Sequence, residues 1–236
     1  MKKMLPGKVP LNRALSKLGV LSRSQATDAI LSGRVRVNGR LIRNPATRVV
    51  PEQAHIELDE ERARKARWRT ILFHKPRGVV TTRTDPRGRP TIYDVLGAAG
   101  RGLIAVGRLD LATTGLLLLT SDTQLANWLT DPANDVPRLY VVTVRGRITG
   151  DDIACLTGHI TLRKASARES HLLVELREGR NRQVRRMFAG IGHEVTSLKR
   201  VKFGGLDLGP LQPGAHREIL HTEIAKAFPG APLREV

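Results

Sequence analysis

The sequence predicts an α+β protein: a small α/β unit at the N-terminus, then a larger domain on a mixed, mainly antiparallel β-sheet with flanking helices. Three observations predict it. Strand-like apolar runs outnumber helical patterns after residue 69, and they lack the regular βαβ rhythm of a parallel sheet. An Asn38-Gly39 pair sits between short β-branched runs, the strongest short-range hairpin signal. A chain of 236 residues with 40% apolar content can build one sizeable core plus a small module.

In chain order, "SRSQATDAILSG" (22–33) reads as a helix, with Ser22 and Gln25 at capping-box spacing and Gly33 as its stop. "VRVNGRLI" follows as a hairpin, and "HIELD" as a short closing strand. Two helices and a small sheet make a module from about Val9 to Asp59. The expected domains are 1–60, a linker over 61–69 within the charge-rich "EERARKARWR", and 70–236. In the last, the strand runs are "TILFHK", "LIAVGR", "GLLLLTS", "RLYVVTVRG", "HLLVELRE" and "EVTSLKRVKFG". The helices are "DTQLANWLT" and "NRQVRRMFAGIG", and "TTRTDPRGRP" reads as an exposed basic loop.

The net charge is +18, a field that favours a polyanion, nucleic acid first. The charge is clustered. Residues 1–60 hold eleven Lys/Arg against five acids, and 177–202 hold eight against Glu178 and Glu194. In the first unit Arg13, Lys17, Arg23, Arg34, Arg36 and Arg40 are each an ordinary surface charge taken singly. As a set with few acids they read as an RNA- or DNA-facing surface. Cys155 is the single cysteine, so no intrachain disulfide or cysteine-rich metal site is expected. The histidines show no metal-ligand spacing, and no phosphate-binding glycine motif is present, so neither metal nor cofactor is indicated. No stretch has the length of a membrane helix, and a cytoplasmic monomer is expected. Aromatics are too few for a binder that relies on base stacking.

In "NRQVRRMFAGIG" the apolar Val184, Met187, Phe188 and Ile191 share one helical face, and Arg182, Arg185 and Arg186 lie on the adjoining one. Asn181 is the expected cap. Arg182 and Arg186 also fit a solvated face. Arg185 follows Val184 at the edge of the core and needs an anionic partner, with Asp110 the candidate. Asp110 alone reads as a turn acid, and Tyr140, in a β-branched run, as a core tyrosine.

Read together, "GRLDLATTGLLLLTSD", "PRLYVVTV" and "REGRNRQVRRMFAGIGHEV" resemble the motifs of RNA pseudouridine synthases, in the branch that acts on ribosomal RNA. "LSRSQATDAILSGRVRVNGR" resembles that branch's N-terminal RNA-binding domain, named for ribosomal protein S4. The likeness covers nearly the whole chain. It implies Asp110 as the essential aspartate, Arg108 as the arginine two positions before it, Tyr140 as the active-site tyrosine and Arg185 as the basic residue beside the aspartate. Arg180, Arg182, Arg186, Lys199 and Arg200 join the expected RNA-binding set. Three positions depart from the commonest pattern: Thr114, where Glu or Ser is frequent; Arg138, where a lysine usually precedes the tyrosine by two; and Asp131, where His is usual.

The implied reaction turns uridine into pseudouridine. The base leaves the ribose at nitrogen, rotates and rejoins through carbon, so a carboxylate must stand near the sugar. One acid rather than a pair fits return to the same sugar better than hydrolysis. Asp110 is expected to act as nucleophile or base, Tyr140 to pack on the base and assist proton removal, and Arg108 to fill the space of the flipped nucleotide or bind its phosphate. The expected partner is ribosomal RNA, in a pre-ribosomal particle or free, with the large subunit favoured. The alternatives are a non-catalytic RNA-binding ribosome-assembly protein, a nuclease or glycosidase, and a DNA-binding regulator.

Overall fold

The computed structural model describes residues 7–21, 23–51, 53–63 and 68–233. The chain divides into two compact units: Met1–Trp68 with Ser121–Thr123, and Arg69–Thr120 with Gln124–Val236.

The first unit contains β1 (Val9–Pro10), α1 (Leu11–Lys17), α2 (Arg23–Leu31), β2 (Val35–Val37), β3 (Arg40–Leu41), β4 (Arg48–Val49), β5 (Ile56–Leu58) and β6 (Glu61–Arg62). Leu11, Ala14 and Leu15 of α1 meet Ala26, Ala29 and Ile30 of α2 over Val35, Val49 and Ile56. Both helices are short, so this shared apolar face holds them rather than propensity. Asn38 and Gly39 both have positive φ, at 50° and 77°, which is the type I′ turn that the twist of a hairpin requires. The proposed Ser22 cap lies outside the described residues.

Glu61–Arg62, at the start of the expected linker, is instead a strand paired with β5. Asp59 and Glu60 make the connecting turn, with φ of 53° and 69°. An Asp-Glu pair carries none of the usual signal of such a turn, so the stretch read as solvated charge.

The second unit contains β7 (Thr70–Lys75), α3 (Ile92–Leu96), β8 (Ile104–Ala105), β9 (Thr114–Thr120), α4 (Thr123–Thr130), β10 (Arg138–Arg145), α5 (Gly150–Ala154), β11 (His159–Ala165), β12 (Glu169–Leu176), α6 (Gln183–Gly190), β13 (Val195–Phe203), β14 (Leu206–Asp207), β15 (His216–Glu218) and α7 (His221–Ala227). One sheet runs β11-β12-β10-β13-β9-β7-β15, with β14 on β13 and β8 on β9. Its pairs are antiparallel except β13 with β9. The α+β reading therefore holds, with its mainly antiparallel sheet.

Strand β9 is central. Leu116 to Leu119 are all fully buried, which is why they read as a continuous apolar run and not an alternation. Leu117 and Leu119 pack with Ile71, Phe73 and Ile92. Strand β10 alternates instead: Tyr140, Val142 and Val144 turn inward onto Leu172, Val174 and Leu176, and Val184 and Phe188 of α6 close the cluster. The edge strand β11 and the helices α3, α5 and α7 were not anticipated. Thr91/Asp94 and Thr149/Asp152 form reciprocal capping boxes at α3 and α5, a Thr-x-x-Asp signal legible beforehand. Only Ile104 and Ala105 of the expected strand "LIAVGR" are extended; the chain then bends to carry Arg108 and Asp110.

Candidate active site

Asp110 opens a turn whose Thr113 N–H donates to the Asp110 backbone carbonyl at 3.0 Å. The turn is therefore closed by backbone, and the carboxylate is not needed to cap it. The carbonyls on either side are held too. Thr81 Oγ1 donates to that of Leu109 at 2.8 Å, and the Gly78 amide to that of Leu111 at 2.9 Å. Arg185 Nη2 reaches that of Ala112 at a longer 3.4 Å. Lys75 Nζ donates to the carbonyls of Pro76, Asp110 and Thr113 at 3.0, 3.1 and 2.9 Å. With all five carbonyls from Leu109 to Thr113 engaged, the segment is a pre-organised support.

Lys75 was not anticipated. It is fully buried at the end of β7, and nothing in "TILFHKPRG" separates it from a surface lysine closing a strand. Burial pushes its ammonium down to about 8, against a smaller opposing pull from Asp110. The folded protein then releases this proton near pH 8, and the unfolded chain near the ordinary 10.5. Between those values the unfolded state holds more protons, so stability from this group rises with pH, by up to about 3 kcal/mol. Urea unfolding at pH 7.5 and 9.5 checks it: the stability of the parent relative to Lys75→Met should increase with pH. A constant difference would mean that the ammonium is not stressed by burial.

Asp110 lines a cleft of about 360 Å³ together with Arg108, Tyr140, Arg182, Arg200 and Phe203, a size usual for small-molecule sites. The Asp110 side chain is 28% exposed, and the nearest cation is Arg182, with Nη1 4.0 Å from Oδ2. Arg108 is exposed at the cleft wall. Tyr140 is 9% exposed: it is packed in the core and also lines the cleft.

Arg185 does not pair directly with Asp110. Its Nη1 donates to the Val195 carbonyl at 2.7 Å and its Nη2 to that of Ala112. Burial lowers its pKa first, then the charges of Arg182 and Arg77, while Asp110 and Glu194 act the other way. Its link to Asp110 is thus a field plus a hold on the backbone two residues on. Arg182 is what reaches the carboxylate, because it stands at the N-terminus of α6 in the left-handed region, φ 51° and ψ 30°. This displaces the expected Asn181 cap. Arg180 also lines the cleft, paired with Glu178 at 2.6 Å, while Arg186 is exposed on α6 and Lys199 half-buried on β13.

Arg200, expected on an RNA-facing surface, is buried. Its Nε donates to the Leu116 carbonyl at 2.8 Å, and its guanidinium packs on Phe203, 4.9 Å from the ring centroid. Arg138 is buried as well, donating to the carbonyls of Val136, Arg177 and Leu129. A lysine there would not hold all three in one plane. Thr114 starts β9 opposite Lys199, and Asp131 accepts from the Ala133 amide at 3.0 Å.

In the first unit Arg13, Arg23, Arg36 and Arg40 are exposed and Lys17 half-buried on α1. Arg34 differs: it forms a two-pronged ion pair with Asp59, which occupies its fork. Among the described residues no group of three or more His, Cys, Asp or Glu is placed to hold a metal ion, and no helix is long and apolar enough to cross a membrane.

Comparison with known proteins gives a consistent result. Residues 69–190 match the family model for RNA pseudouridylate synthase, and residues 9–55 that for the S4 domain. The chain is 34% identical to an "Uncharacterized RNA pseudouridine synthase" of Aquifex aeolicus (strain VF5), over 97% of each chain. It is 34% identical to "Ribosomal large subunit pseudouridine synthase B" of Bacillus subtilis (strain 168), covering 92% of this chain and 94% of that one. Its likeness to the Pseudomonas aeruginosa protein of the same description is 40%, over 91% of this chain and 60% of the other. A solved pseudouridylate synthase structure superposes with a TM-score of 0.62 at 29% identity, covering 93% and 99% of the two chains.

Proposed function

On the premise that this chain belongs to the RNA pseudouridylate synthase family and isomerises uridine to pseudouridine in RNA, we propose that its substrate is large-subunit ribosomal RNA and that Asp110 is the reacting carboxylate. The observation that carries the second point is the Asp110 side chain standing in the same cleft as Tyr140, on a turn that its own backbone closes, so that the carboxylate is not needed to hold the turn. The likeness to the Bacillus and Pseudomonas large-subunit pseudouridine synthases supports the first.

In this reading the flipped uridine enters the cleft. Asp110 attacks the sugar or takes the proton from its second carbon. Tyr140 lies against the base and helps to remove the proton at C5 once the carbon bond has formed. Arg182 and Arg108 meet the phosphates at the mouth, and Arg182 is readily given up by Asp110 because its single long contact is weak. Arg185 keeps a positive field behind the carboxylate. The enzyme works as a cytoplasmic monomer on RNA free or in a pre-ribosomal particle.

Pseudouridine mapping of ribosomal RNA from cells with and without the protein tests this. One site should vanish from large-subunit RNA; an unchanged map would refute it.

The S4 domain binds RNA, and its exposed Arg36 and Arg40 are proposed as phosphate contacts. In the full-length double variant Arg36→Gln/Arg40→Gln, the slope of log affinity against log salt should shrink by about 0.7 per lost contact on single-stranded RNA. Pseudouridine formation at saturating RNA should stay at the parent rate. An unchanged slope would place the RNA elsewhere on this unit.

A further inference from the structure

We propose that Arg200 is a further catalytic residue: its guanidinium stabilises the negative charge that moves onto the uracil ring when the glycosidic bond breaks. This rests on the functional reading above and adds the group that stabilises the departing base.

The wall of the cleft beside Phe203 carries two buried cations. Arg138 lies 5.2 Å and Arg200 4.9 Å from the centroid of the Phe203 ring. Among the described residues, neither has a carboxylate within 4.0 Å. A buried charge without an anion is costly unless its donors are met. Arg138 meets this demand with three backbone carbonyls. Arg200 does not: only its Nε donates, and its Nη2 is buried without a partner. An unmet buried donor is destabilising. Arg200 is also held in place. Gly115, opposite it on β9, brings the two backbones so close that a Cβ there would lie 2.2 Å from the Arg200 carbonyl oxygen. The burial of Arg138 and then the like charge of Arg200 lower the Arg138 pKa, which agrees with a local excess of positive potential.

The reaction supplies what Arg200 lacks. As the N1–C1′ bond breaks, its electron pair stays on uracil and spreads over N1, O2 and O4. The rotated ring returns an electron pair to C1′ through C5. C5 then loses its proton and N1 takes one up, so the isomer has the composition of the substrate. Of the cleft's lining carboxylates, Asp110 is committed to the sugar and Glu178 is paired with Arg180, leaving no carboxylic acid to protonate the departing base. A fixed cation in a water-poor wall stabilises such charge most where it develops.

The test compares full-length parent, Arg200→Gln and Arg200→Lys in single-turnover reactions on large-subunit ribosomal RNA transcribed with uridine or with 5-fluorouridine. Fluorine makes the base a better leaving anion, so it needs less help. Arg200→Gln should slow formation of the C-linked product on the uridine RNA by about 10²- to 10³-fold. The loss should be roughly tenfold smaller on the fluorinated RNA, with RNA affinity unchanged. Arg200→Lys should show a smaller loss with the same shrinkage, and decides the matter if the glutamine variant does not fold. Equal losses on both RNAs, no loss, or a loss confined to affinity, as for a phosphate grip, would overturn the proposal. A parent protein that makes no pseudouridine in either ribosomal RNA would instead refute the functional reading.

Discussion

Asp110→Asn is expected to abolish pseudouridine formation while leaving the fold and RNA affinity intact. The turn at 110–113 is closed by the Asp110 backbone carbonyl, and Lys75 holds that same carbonyl; neither contact involves the side chain. Asparagine has the same shape and still offers an acceptor to Arg182. It lacks the negative charge needed to attack the sugar or take its proton. The expected loss is therefore roughly 10⁴-fold or more, the scale for removal of an essential reacting group. Thermal unfolding should be unchanged, because the one ion pair lost is long and half-exposed. The measurements are pseudouridine formation in ribosomal RNA and a binding isotherm on the same RNA. Turnover near the parent rate would make Asp110 a turn residue and remove the proposed chemistry.

Gly115→Ala is expected to be the most damaging single methyl in the second unit. Gly115 has φ +109°, a region L-residues rarely adopt, and its missing Cβ would sit 2.2 Å from the Arg200 carbonyl oxygen and 2.7 Å from its nitrogen. The obstruction is backbone, so no rotamer relieves it. Strain and overlap together should cost about 3–5 kcal/mol and lower the melting temperature by roughly 10–15 °C. The only parallel pair of the described sheet, β13 with β9, would open at this point. Activity should fall further than stability accounts for, because β9 begins four residues after Asp110 and Arg200 sits on the partner strand. A variant that melts with the parent would mean that the two strands separate here without cost.

The elements that were legible are those in which one local pattern dominates. Leu116–Leu119 announced a buried central strand, the apolar stripe from Val184 to Phe188 a one-face helix, and Asn38-Gly39 a hairpin. What escaped lacks a dominant pattern: the Asp59-Glu60 turn, the edge strand β11, and the short helices, of which α3 and α5 carry a capping-box signal but too few residues to show an apolar period and α7 has no side-chain cap. The motif residues Asp110, Arg108 and Tyr140 line one cleft. Their partners were misjudged. Arg182 rather than Arg185 approaches Asp110, because one residue in the left-handed region turns the helix entrance toward it. Arg34 was grouped with the nucleic-acid-facing cations although Asp59, 25 positions away, occupies it.

By itself the sequence determined that this is a basic, RNA-directed α+β protein with the aspartate proposed here to react, Asp110, on a turn before a buried strand. These properties are carried by composition, by periodicity and by contiguous motifs, all of which exist along the chain. The tertiary structure alone decided which cations are buried and what they touch. Lys75 on the carbonyls of the Asp110 turn, Arg185 on Val195 and Ala112, and Arg200 on Phe203 and Leu116 are indistinguishable in sequence from surface lysines and arginines. Their state is set by desolvation and by backbone groups brought from 10 to 84 residues away, and no local pattern encodes which distant carbonyl a side chain will meet.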